Sequence, residues 1–133
     1  MIDVEPMVLT RITQRVHSEF PKASVSGEEE RSPSEFPFVS VVEIDNYAYA
    51  NTIDSGSNEN HVVVVYDIDC YSNKTSKKKA ECKYLIALVD SEMLEIGFTR
   101  TMLNVIKDED ATVYRIKARY TAVVSKDKKF YRR

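Results

Sequence analysis

A chain of 133 residues is the length of one ordinary domain, and 43% apolar with 30% charged residues is too hydrophobic for a wholly disordered chain. Its longest apolar runs, Val62 to Tyr66 and Tyr84 to Val89, fall far short of the ~20 residues of a membrane span, and the opening Met1 to Glu5 has no basic n-region, so neither a membrane span nor a secretion signal is expected. The net charge of −2 is unevenly placed: residues 1–60 hold 4 Lys/Arg against 11 Asp/Glu (−7), and residues 61–133 hold 15 against 10 (+5).

The first predicted element is a helix from Pro6 to Phe20. Proline suits the first helical position, and Val8/Leu9, Ile12, Val16 and Phe20 recur at helical spacing before Pro21 ends the run. A short strand over Ala23 to Ser26 leads into Gly27 to Glu35, a polar stretch with Glu28, Glu29 and Glu30 in succession that reads as a mobile loop. Phe36 to Asp45 and Val62 to Tyr71 are rich in β-branched and aromatic residues and read as two strands; the turn-forming Asn51 to Asn60 between them suits a hairpin with a long tip. Over Thr75 to Ile96 the period changes to three and four. Cys82, Leu85/Ile86, Val89, Met93 and Ile96 form one apolar stripe, with Gly97 at the helix end. Strands follow at Phe98 to Lys107 and Thr112 to Ser125. In the latter, Tyr114, Ile116, Ala118, Tyr120, Ala122 and Val124 share one face, and Arg115, Lys117, Arg119 and Thr121 the other. The expected fold is a single α+β domain, a mostly antiparallel sheet of four to five strands with two helices packed on one face and a basic C-terminal tail.

Catalysis needs convergent titratable groups, and few are in prospect. His17 and His61 have no metal-ligand spacing. Three glycines, Gly27, Gly56 and Gly97, cannot compose a phosphate-cradling loop. Cys70 and Cys82 read as reduced thiols, with Cys82 on the buried helix stripe. No catalytic residue, cofactor or metal is expected. Asp67 and Asp69 point to one side of a strand, where they can chelate a divalent cation, sit in a solvated row, or line a negatively walled pore. Lys77 to Lys79 read as a solvated run or a contact for an acidic partner, and the tail Lys126, Lys128, Lys129, Arg132 and Arg133, with Phe130 and Tyr131 interleaved, as a closing edge strand or subunit contact more than a nucleic-acid arm.

From the long helix onward the pattern resembles the tail-terminator (tail-completion, or minor capsid) proteins of long-tailed bacteriophages. The residues that carry it are Val89-Asp90, Met93, Gly97-Phe98-Thr99-Arg100, Tyr114-Arg115, Arg119-Tyr120 and Phe130-Tyr131-Arg132, spread over Val62 to Arg133, and the Pro6 to Phe20 helix is consistent with it. The resemblance implies a non-catalytic subunit of the virion tail. It assembles in the host cytoplasm as a homo-oligomer, a hexameric ring on the head-proximal end of the tail tube. Its partners are the tail-tube protein and a head-completion or connector protein, with DNA only passing through the ring. Opposite charge in the two halves suits head-to-tail contacts between copies. The row Arg115, Lys117, Arg119, the acidic Glu28, Glu29 and Glu30 of a neighbour, and Arg100 and Arg132 are the expected contact residues. The alternatives are a head-tail connector and, from other classes, a small metal-dependent enzyme on Asp67 and Asp69 or a nucleic-acid-binding module on the basic tail.

Overall fold

The computed structural model describes residues 1–30, 32–49 and 61–131. Helix α1 covers Glu5–Glu19. Its Pro6 sits where a missing N–H costs nothing, Glu5 in the first turn favours the positive helix end, and Val8, Ile12 and Val16, four apart, are buried. Strand β1 (Ser24–Ser26) pairs in parallel with β2 (Phe38–Ala48), which runs antiparallel to β3 (His61–Ser72). Helix α2 spans Lys78–Ile96 and buries Cys82, Leu85, Ile86, Leu88, Val89, Glu92 and Met93. Gly97 ends it at φ +128°, with its N–H on the Met93 carbonyl. Strands β4 (Thr99–Ile106) and β5 (Tyr114–Ser125) pair antiparallel, and the chain closes with β6 (Phe130–Tyr131) on β5.

The sheet runs β1-β2-β3-β5-β4, with β6 beside β5, which makes six strands among the described residues rather than four to five. The additional strand, β6, is two residues long, too short for alternation to reveal. The fold is α+β with a mostly antiparallel sheet, β1 against β2 being the parallel pair. One hydrophobic cluster joins Val8, Ile12 and Val16 of α1 and Leu85, Val89 and Met93 of α2 to Val39, Val41, Val62, Val64, Tyr66, Ile68, Cys70, Ile116, Ala118, Tyr120, Ala122 and Val124. On each strand these residues alternate with ones outside the cluster, so they occupy one sheet face. An Arg11–Glu92 pair, Nε to Oε2 at 2.6 Å, ties α1 to α2. No helix among the described residues is long and apolar enough to cross a membrane. The expected turn at Asn51 to Asn60 lies outside the described residues.

Candidate functional site

The face of the sheet turned away from the cluster carries a charge ladder built by strand register. Across β3 and β5, Asp67 stands opposite Arg119, Asp69 opposite Lys117 and Tyr71 opposite Arg115. Arg119 grips Asp67 with two parallel hydrogen bonds, Nε to Oδ1 at 2.7 Å and Nη2 to Oδ2 at 3.1 Å. Arg115 reaches diagonally to Asp69, Nη2 to Oδ2 at 2.7 Å, and its guanidinium carbon lies 5.1 Å from the Tyr71 ring centre. Lys117 sits between the two carboxylates, 3.9 Å from each. Burial pushes the Asp69 carboxyl above its ordinary value even though Arg115 and Lys117 pull it down. Among the described residues, Asp69 Oδ1 and Arg115 Nε have no hydrogen-bond partner.

Two expectations are corrected here. The cations Arg115, Lys117 and Arg119 are not an uncompensated row awaiting a neighbour, because Asp67 and Asp69 face them within the same sheet. Asp69 is only 3% exposed, so it does not line a wet wall, and a divalent cation between Asp67 and Asp69 would meet the Lys117 ammonium. Glu28, Glu29 and Glu30 are all exposed, and their loop runs beside the ladder. Glu29 borders both the hollow containing Lys107, Asp108 and Arg115 and the smaller one containing Asp67, Asp69 and Lys117. The Tyr71 hydroxyl donates to the Glu30 carbonyl at 3.0 Å, an anchor supplied by another strand that the polar sequence of the loop does not advertise. Glu28 is exposed, and its N–H bonds Ser26 Oγ at 3.1 Å.

Arg100 stands apart from the ladder. Its Nη1 donates at 3.1 Å to Asp90 of α2, and that same Asp90 oxygen accepts from the buried Tyr120 hydroxyl at 2.8 Å. Arg132 lies outside the described residues, as does Arg133. Both cysteines are buried, as expected for Cys82, whose Sγ donates to the Cys70 carbonyl at 3.1 Å; burial pushes its thiol up to about 12. His17 caps the turn after α1, Nε2 donating to the Ala23 carbonyl at 2.8 Å. Lys78 donates from Nζ to the Ala111 carbonyl at 2.6 Å, so one member of the lysine run fastens the helix start to the β4–β5 turn.

Two features escaped the sequence reading. Asp3, Glu5 and Glu43 bring carboxylate oxygens within 4.8 Å of one another, with the Tyr66 hydroxyl donating to Glu43 Oε1 at 3.2 Å. Burial, then the charges of Glu5 and Asp3, push the Glu43 carboxyl up. Only the fold brings residue 43 beside the N-terminus; acidic character alone was visible. Secondly, a mostly aliphatic groove of about 370 Å³ runs between α2 and β4, lined by Ile86, Ala87, Leu103, Val105 and Ile116 together with Lys83, Asn104 and the Asp90–Arg100 pair. Leu103 and Val105 were legible as strand residues, but not as residues that no helix covers. No family model matches the chain, and no curated protein matches it significantly.

Proposed function

We propose that the chain is a structural subunit of a long-tailed phage virion. It forms a ring on the head-proximal end of the tail tube, ends tube polymerisation and presents a surface to the head connector. The observation that carries this reading is the placement of charge. The first half of the chain, with net charge −7, supplies β1 and β2 at one side of the sheet, and the second half, with net charge +5, supplies β3, β5, β6 and the opposite edge strand β4. Heterologous contacts join two different patches and close into a ring when the rotation permits, and halves of opposite net charge favour contact between unlike patches over a two-fold pairing. The charge ladder, on the sheet face turned away from the core cluster, is neutralised internally, which favours the edges as the surfaces that copies share.

The reading also rests on the sequence resemblance running from α2 to β6. Its test is capture of purified chain by tail-tube protein and by head-connector protein encoded beside the same gene. A terminator binds the tube protein. Binding to the connector alone would make the chain a head-closure component instead, and binding to neither would reject the assignment.

A further inference from the structure

Strand β2 breaks register with β3 between Glu43 and Asp45, and Ile44 is the extra residue of that bulge. Bulges re-aim side chains, and this one holds an isoleucine 45% exposed between two acids, with Asp3 and Glu5 clustered beside Glu43. At the far edge of the sheet, β4 pairs with β5 on one side and with no strand on the other among the described residues. Leu103 and Val105 of β4 are 46% and 59% exposed and form the outer wall of the α2–β4 groove. An edge strand bearing exposed aliphatics is a template for association unless something covers it.

We propose that Ile44 of one copy seats in the α2–β4 groove of the next, with the exposed Asp45 carboxylate facing Lys83 of its lining. The proposal rests on the ring reading above and supplies its contact. The occupant is a second copy because the two patches match in kind. One is an aliphatic knob beside the exposed Asp45 and the other an aliphatic groove whose lining includes the exposed Lys83. Ile44 lies on β2 beyond its three-residue pairing with β1, beside the small hollow of Asp67, Asp69 and Lys117, and the groove lies at the opposite edge strand β4, so each copy donates a knob and accepts one at the same time. Asp90 does not oppose this, since Arg100 and Tyr120 already engage it.

The test is directed cross-linking with Ile44→Cys and Leu103→Cys as separate full-length variants, each first checked for an unchanged melting curve. The native Cys70 and Cys82 are both buried and do not compete. A disulfide needs Cα atoms within about 7 Å. Mixing the variants under mild oxidation is expected to yield a mixed dimer well in excess of either variant alone. Adding Lys83→Glu to the Leu103→Cys chain should lower that yield severalfold, and adding Asp45→Lys to the Ile44→Cys chain should restore it. Disulfides formed equally within either single variant indicate a two-fold contact and overturn the proposal, as does no cross-link up to the solubility limit. Wild-type multimers seen by sedimentation without a 44–103 cross-link would discard this contact and leave the ring. A 44–103 cross-link in a chain that binds no tube protein would keep the contact and discard the tail assignment.

Discussion

A carboxylate as buried as Asp69 persists because Arg115 answers it, and removing either partner strands the other in a poor solvent. Asp69→Ala is expected to destabilise the fold by about 3 kcal/mol, and Asp69→Ala with Arg115→Ala by less than the sum of the single changes, read from urea unfolding of the four proteins. Burial raises the Asp69 carboxyl above its ordinary 3.8. The folded chain therefore holds that proton more tightly than the unfolded chain does. Its contribution to stability is full below 3.8, falls as pH rises through the raised folded value, and is flat above it. The advantage of the wild type over Asp69→Asn should accordingly shrink as pH rises from 3.8 through the raised folded value; an advantage that grows would mean Arg115 outweighs burial. Cys82 gives a second check at this scale. With its thiol buried and pushed up to about 12, it should resist a thiol reagent in the native protein, and Cys82→Ala should cost about 1 kcal/mol. Fast labelling of Cys82 in the folded state would contradict that placement.

Among the elements, the end of α2 is the most exacting. Gly97 has φ +128°, and a Cβ there would stand 2.7 Å from Phe130 Cβ. Gly97→Ala should cost about 2 kcal/mol or more and release β6, seen as faster amide exchange at Tyr131 while α2 keeps its protection. Unchanged exchange there would remove β6 from contact with the helix end. The ladder makes a milder prediction: Arg119 is 41% exposed at its side chain, so its pair with Asp67 contributes at most about 1 kcal/mol, and Arg119→Glu, which sets two acids opposite each other, should lower the melting temperature slightly without altering assembly. Loss of assembly with an unchanged melting temperature would restore the row as an interface. Much of this was legible from periodicity. The α2 stripe and the β5 alternation placed Cys82, Met93, Tyr120 and the Arg115–Arg119 row correctly, because each depends only on neighbours along one element. The Asp69–Arg115 diagonal, the Tyr71–Glu30 anchor and the bulge at Ile44 depend on which residue of one strand meets which of another, and no spacing within a single strand encodes that register.

On the scale of the whole molecule, a polar sheet face that neutralises itself and halves of opposite net charge support the proposal that copies meet at the edges. Salt should then weaken self-association, since contacts on the flanks are solvent-screened, while leaving the melting temperature nearly constant. The charge asymmetry between the halves was plain in the sequence, but only the strand order β1-β2-β3-β5-β4 shows that the two halves occupy opposite sides of one sheet. The most direct measurement of the proposed role is electron microscopy of tail-tube protein polymerised with and without this chain. A ring cap predicts shorter tubes carrying ring-shaped density at one end only. Tubes of unchanged length with bare ends would contradict it.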